Sequence, residues 1–192
     1  MNFDHEKEQT LKKMVSNDQS NKGSVDKPIK KLLNNINRTK NHYSTSSCSG
    51  RIILIQIPKS GRKQEAEFLY RTHSKAKLKD VLAAIKKIKG SNAVWFRQEA
   101  AILHIASRTL NDASKFLRVA RAVGFKRSGL FEVKKHFLME LIATEKLETI
   151  IMRHGELLVD EKYLKVLVEE SNKKMESTWD KIKKLELAVK KL

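Results

Sequence analysis

A run of small and hydroxyl-bearing residues, Ser44 to Ser49, leads into Gly50 and Arg51. Hydroxyls and successive backbone N–H groups in such a run can ring an anion or a carboxylate. Gly50 permits a positive φ or a close backbone approach. Arg51 can clamp a carboxylate or phosphate through two parallel hydrogen bonds. A polar turn between two strands has the same composition and is the plainer reading. Cys48 lies within the run and is the only cysteine. With His42, His73 or His104 as base it would be a nucleophile, although a lone cysteine in a Ser-rich loop more often packs or supports backbone.

Three further segments carry reactive side chains. Asp18 to Asp26 mixes both charge signs, hydroxyls and a glycine; Lys22 offers a cation, and Asp26 offers a carboxylate that also suits a helix N-cap. Val94-Trp95-Phe96-Arg97 is followed by Leu103-His104-Ile105. There His104 is either a base or a satisfied core histidine, and Trp95 either a stacking platform or core. Gly124 to Gly129 places Lys126 and Arg127 in a basic loop that holds phosphate or is simply solvated. Common catalytic signatures are missing from the sequence. No G-x-G occurs among the seven glycines, and there is no Walker A pattern, zinc-spaced Cys/His set, H-E-x-x-H or G-x-S-x-G.

Charge narrows the partner. The chain of 192 residues has 40 Lys plus Arg against 22 Asp plus Glu, a net charge of +18. Solubility needs no such excess. A polyanion does, because phosphate contacts release counterions. The excess sits in the middle of the chain: ten basic and three acidic residues between 59 and 89, eight and two between 108 and 135, but nine and seven between 157 and 192. No membrane span is expected, and the charged N-terminus lacks the apolar core of a secretory signal. A single cysteine fits a reducing, cytoplasmic setting.

These groups must be held by a small set of elements. Apolar spacing predicts helices over Phe3 to Val15, after Asp26 (its cap, with Pro28 in the first turn), over Lys77 to Ile88, over Ala113 to Val123 (capped by Asp112), and from Glu161 to about Lys191. Strands are predicted at Tyr43 to Ser47, Arg51 to Ile57, Ala66 to His73, Ala93 to Arg97, Ala101 to Ser107, Ser128 to Val133, His136 to Ala143 and Leu147 to Arg153. A strand pair followed by a helix occurs twice, from Arg51 and again from Ala93. The expected class is α+β, non-Rossmann, with mixed sheet order, an internal duplication and a long C-terminal helix. Residues 1–160 would form a single catalytic domain, with the helix over 161–192 packed on it or projecting from it.

Taken together, the segments resemble the wybutosine-synthesis methyltransferase family, tRNA wybutosine-synthesizing protein three and its archaeal relatives, from Phe3 to about Asn172. The family's D-x-S-x-K-G-S-V-D block matches Asp18, Ser20, Lys22, Gly23, Ser24, Val25 and Asp26. Its S-x-S-S-C-x-G-R block matches Ser44, Ser46, Ser47, Cys48, Gly50 and Arg51. Thr72-His73, Leu103-His104 and Gly124 to Gly129 match in order, and Glu99-Ala100 departs from a frequent Glu-Pro.

The resemblance implies methyl transfer from S-adenosylmethionine to a ring nitrogen of a tricyclic guanosine derivative. That base lies beside the anticodon of phenylalanine tRNA, carries an aminocarboxypropyl chain, and is methylated on a non-Rossmann fold. On that footing Asp26 or His104 is the expected base, with Ser46 and Ser47 as further donors. Lys22 and Arg51 would hold carboxylates in a loop that includes Cys48 and Gly50, Trp95 would stack, and Lys126 and Arg127 would meet tRNA phosphates. No metal is expected, and a monomer or weak homodimer is. The rival readings are a non-catalytic tRNA-binding protein of the same fold and an interaction module built on the C-terminal helix.

Overall fold

The computed structural model describes residues 2–18, 25–60 and 62–192. In chain order the elements are α1 (Phe3–Asp18), a 3₁₀ turn (Lys27–Ile29), α2 (Lys30–Arg38), β1 (His42–Cys48), β2 (Arg51–Ile57), a 3₁₀ turn (Lys63–Glu65), β3 (Glu67–Thr72), α3 (Leu78–Ile85), β4 (Ala93–Glu99), β5 (Ile102–Ser107), α4 (Leu110–Ala122), β6 (Gly129–Val133), β7 (Phe137–Ile142), β8 (Leu147–Arg153), β9 (Glu156–Leu157) and α5 (Glu161–Val189). The class is α+β with a long C-terminal helix, as expected. They fall into two compact units: Met1–Ser49, Ala101–Thr144 and Thr178–Leu192 form the first, and Gly50–Ala100 with Glu145–Ser177 the second.

The first unit is built on a sheet of order β1-β5-β7-β6. Ile29, Leu32, Leu33 and Ile36 recur at helical spacing, and all four are buried. Pro28 opens that helix, but Asp26 does not cap it with its side chain. The reason is local. Pro28 has no N–H to offer, and the Ile29 N–H already bonds the Asp26 backbone carbonyl at 3.1 Å. The Asp26 carboxylate instead accepts the Ser49 N–H at 2.8 Å. Asn37 ties α2 to β1, its Oδ1 accepting the Ser44 N–H at 2.8 Å and the Ser44 hydroxyl at 3.1 Å. At the sheet's other end α1 docks through buried Phe3, whose ring meets Tyr43 at 5.2 Å and lies under the Arg108 guanidinium at 4.5 Å.

Helix α4 begins one turn before the expected Asp112 cap. Thr109 is the N-cap: its hydroxyl oxygen accepts the Asp112 N–H at 3.1 Å and its O–H donates to Asp112 Oδ2 at 2.6 Å. Asp112 is thus the third residue of the helix, bonded through both its N–H and its carboxylate to the Thr109 hydroxyl. The helix ends as the sequence suggests. Gly124 takes φ 112°, its N–H bonds the Arg121 carbonyl at 3.2 Å, and the Phe125 N–H reaches back to Ala120 at 3.0 Å. This is a Schellman closure, with Phe125 fully buried.

The second unit is built on a sheet of order β3-β2-β4-β8-β9. Central β2 is buried from Ile52 to Gln56, whereas β4 alternates, with Val94, Phe96 and Gln98 inside. The β8–β9 hairpin turns on His154 (φ 55°) and Gly155 (φ 82°), a two-residue loop with both central residues left-handed. Asn172 clamps the Ala76 backbone, accepting its N–H at 2.8 Å and donating to its carbonyl at 3.0 Å.

Two expectations of topology are corrected. The predicted mixed sheets are antiparallel at every pairing among the described residues. Helix α3 connects β3 to β4, which flank β2; helix α4 connects β5 to β6, which flank β7. Each crossover therefore spans an intervening antiparallel strand, so the two parallel strands never touch. The internal echo lies in this shared plan. The second strand pair, moreover, is no pair: β4 joins β2 and β8, and β5 joins β1 and β7. Ala100-Ala101 between them lacks the glycine or asparagine that a two-residue hairpin needs for its positive φ values. Among the described residues no helix is long and apolar enough to cross a membrane.

Helix α4 also buries an ionisable group. His42 on β1 is buried, with its Nδ1 2.8 Å from Ser107 Oγ and its ring 4.9 Å from that of Phe116. Burial pushes its pKa down from 6.5 to about 4, against the attraction of Asp112. Above pH 6.5 the ring is neutral in both folded and unfolded chains, and stability is complete. As pH falls from 6.5 towards 4 the unfolded chain takes up a proton that the fold refuses, and stability drops by roughly 3 kcal/mol. Melting curves between pH 7 and pH 4 should fall more steeply for the wild type than for His42→Gln; parallel curves would show that the ring titrates freely.

Candidate active site

Strand pairing in the first unit places three polar side chains in a row. Ser46 on β1 stands opposite His104 on β5, which stands opposite Glu140 on β7. Directly paired residues point to the same face of a sheet. His104 Nδ1 lies 2.9 Å from Ser46 Oγ, and its Nε2 lies 2.8 Å from Glu140 Oε2. The row depends on a β-bulge. Ser44 pairs with Ile105 and Ser46 with His104, so Thr45 is the extra residue. In regular register Ser46 would face Leu103, and Thr45 would take its place opposite His104.

The chemistry of the row follows from the roles of its atoms. An ionised carboxylate only accepts, so Glu140 fixes the proton of a neutral His104 on Nε2. Nδ1 is then an acceptor, and the Ser46 hydroxyl donates to it. The side chains of His104 and Glu140 are about one-third exposed, at 32% and 35%, and Ser46 is exposed. A small molecule on this face therefore reaches a hydroxyl backed by a base and an acid. The ring of Phe131, on β6, lies 5.0 Å from that of His104.

The other expected residues of this unit sit elsewhere along the same strand and beyond. Ser47 pairs with Leu103 and so faces away from Ser46, while Cys48, two residues on, shares the Ser46 face. Asp26 serves the backbone at the exit of β1. Lys126 and Arg127 are exposed on a loop whose base is held by Arg121, which donates to the Ser128 carbonyl, and by Ser128 Oγ, which donates to the Phe125 carbonyl at 2.6 Å and accepts the Ile142 N–H at 3.1 Å. Lys22 lies outside the described residues.

The second unit holds the rest. Gly50 has φ 91°, as its place before Arg51 suggested, and its carbonyl lies 3.0 Å from His73 Nδ1. Arg51 pairs across the sheet with Glu99, Nε to Oε2 at 2.5 Å, and its guanidinium lies 5.3 Å from the centre of the Phe68 ring. The Trp95 ring is partly buried with Arg97 at 5.4 Å, and Arg97 in turn meets Glu148 at 2.6 Å. Arg51 and Trp95 belong to separate ion-pair and cation–π groups on one sheet.

Two comparisons fix the family. The family model described as Methyltransferase TYW3 matches residues 5–191. The chain belongs to the Methyltransferase TYW3 family. It is 40% identical over 192 residues, all of this chain and 96% of the relative, to the tRNA(Phe) 7-((3-amino-3-carboxypropyl)-4-demethylwyosine(37)-N(4))-methyltransferase of Thermococcus sibiricus. It is 37% identical to the tRNA wybutosine-synthesizing protein 3 homolog of Xenopus laevis, over 91% of this chain and 69% of that one. The solved structure of the PH1069 protein from Pyrococcus horikoshii superposes with a TM-score of 0.89 at 37% identity, covering 98% of this chain and 96% of that one.

Within this TYW3 chain the sequence pointed to Ser46 and His104 but missed Glu140 and Phe131. A lone glutamate in the apolar run Phe137–Ile142 was the available signal. Its meeting with His104 depends on strand order, which periodicity does not carry. Nitrogen NMR on the wild type at alkaline pH should show His104 as the Nε2–H tautomer, and Glu140→Leu should shift it towards a mixture. A mixture already present in the wild type would mean that the carboxylate does not hold the ring.

Proposed function

We propose that this chain transfers a methyl group from S-adenosylmethionine to the N4 ring nitrogen of 7-(3-amino-3-carboxypropyl)-4-demethylwyosine at position 37 of tRNA(Phe). Family membership supports methyl transfer, the printed activity of relatives such as that of Thermococcus sibiricus supports the substrate, and the charge of +18 supports an RNA partner. The observation that carries the reading is the Ser46–His104–Glu140 row, because N-methylation needs a place for the nitrogen's proton. When bound, S-adenosylmethionine supplies an electrophilic methyl on a positively charged sulfur. His104 Nδ1 takes up the proton that the ring nitrogen loses, directly or through the Ser46 hydroxyl, and Glu140 stabilises the imidazolium that results.

The Arg51–Glu99 pair fits an amino-acid group. A guanidinium and a carboxylate side by side, each about one-third exposed, match the carboxylate and ammonium of an α-amino acid. Both the methyl donor and the aminocarboxypropyl chain end in that group. Carboxylate binding at Lys22, Cys48 and Gly50 is part of the proposal for each residue by itself, and Trp95 offers a partly exposed ring. Asp26 shapes the exit of β1 and is the second candidate base. We assign the loop at Lys126 and Arg127 to the tRNA backbone of the anticodon arm. A cytoplasmic monomer or weak homodimer goes with this reading.

Single-turnover methylation of substrate tRNA should occur with the wild type and slow by about a hundredfold or more in His104→Gln, with tRNA affinity retained. Tight tRNA binding without any methyl transfer by the wild type would instead leave a non-catalytic tRNA-binding protein. Neutralising Lys126 and Arg127 to glutamine should weaken tRNA binding and reduce the slope of log affinity against log salt by about two, one for each cation. An unchanged slope would remove the loop from the RNA footprint.

A further inference from the structure

The face that carries Ser46, His104 and Glu140 is covered at one end and open at the other. Phe3 from α1 packs there with Tyr43, Ala106 and Leu138. Two residues along β5 and β7, and three along the bulged β1, the covering ends and the polar row begins. Its fourth position, opposite Glu140 on the edge strand β6, is Gly129. A Cβ at Gly129 would meet nothing within 4 Å. Its φ is not positive, so neither turn geometry nor close packing explains a glycine here. Beside it stands Phe131, the extra residue of a β-bulge between Leu130 and Glu132. Its ring is 54% exposed and tilted 46° to the His104 ring at 5.0 Å.

We propose that Gly129 and Phe131 form a slot for a flat nucleobase-type ring, with Phe131 as its stacking wall, Gly129 as its floor, and His104 and Glu140 as its polar edge. Three features fit together. The β-bulge sets the exposed Phe131 side chain against the His104 ring, beside the polar row. The space over Gly129, where a Cβ would meet nothing within 4 Å, lies beside Glu140. The edge of the slot presents both a hydrogen-bond acceptor and a group that gives or takes a proton, as a heteroaromatic ring with N–H and N positions requires. The inference rests on the proposed methyl transfer for the identity of the ring. It is either the adenine of the donor or the modified base of the tRNA, and both have the same stacking chemistry.

The test is equilibrium binding, without turnover, of S-adenosylmethionine and of substrate tRNA to the full chain and to Phe131→Ala, Phe131→Tyr and Gly129→Leu, with melting temperatures recorded for each. Phe131→Ala and Gly129→Leu should each weaken one of the two ligands by about tenfold or more, with Phe131→Tyr near wild type. Loss confined to S-adenosylmethionine identifies the ring as adenine; loss confined to tRNA identifies it as the modified base. Affinities for both ligands within twofold of wild type, in stable Phe131→Ala and Gly129→Leu proteins, would overturn the slot. A wild type that binds both ligands but transfers no methyl would sink the proposed function and leave this result standing.

Discussion

The alignment of β1 against β5 is the constraint on which the polar row depends. A strand alternates its faces, so a slip of one residue would turn Ser46 away from His104 and bring Ser47 to it. The bulge at Thr45 sets that alignment, and contacts on both sides hold it. Before the bulge, Asn37 binds both the N–H and the hydroxyl of Ser44. After it, Asp26 binds the Ser49 N–H. Both anchors lie on the chain that leads into β1, at either end of the α2 segment. The buried faces of Ile29, Leu32, Leu33 and Ile36 fix where that segment sits, and so, at one remove, where Ser46 points.

This gives the Ser-rich run a physical reading. Its serines are not equivalent. Ser44 is fully buried and consumed by Asn37, Ser46 is exposed and bound to His104, and Ser49 is buried with its backbone on Asp26. Small hydroxyl residues suit such a strand because a bulge crowds the local backbone, and the Ser44 and Ser46 side chains each meet a nearby polar atom without filling space.

Much of the framework was legible in the sequence. The boundaries of β2 follow from five apolar residues in seven, the stripe of α5 from its 3.6 period, and the end of α4 from Gly124. These are local signals, each carried by one segment. Strand order was not legible, because it depends on which edges meet after the chain has closed long loops. The two caps differ from expectation for a related reason: Asp26 stands at the N-cap position but Pro28 removes a donor from its side chain, and Thr109 takes the cap expected of Asp112. Among the candidate residues, Ser46 and His104 of the first unit and Gly50 and Arg51 of the second could be named from composition and spacing. Glu140 and Phe131 could not, since each acquires its meaning only from a residue on a neighbouring strand.

A hydroxyl, an imidazole and a carboxylate in line would elsewhere suggest a nucleophilic serine. Acyl transfer, however, also needs donors arranged around a developing oxyanion, usually backbone N–H groups at a sharp turn. Ser46 lies within an extended strand and not at a sharp turn, and the nearby Ser44 N–H is taken by Asn37. Methyl transfer makes no such demand. No oxyanion forms, and the electrons that make the new N–C bond come from the substrate ring. What the protein must supply is alignment and a destination for one proton. A partly exposed imidazole, held by a carboxylate on one side and contacting a hydroxyl on the other, is enough for that task. The same three side chains that would make an incomplete hydrolase therefore meet the demand that the proposed methyl transfer places on a proton acceptor.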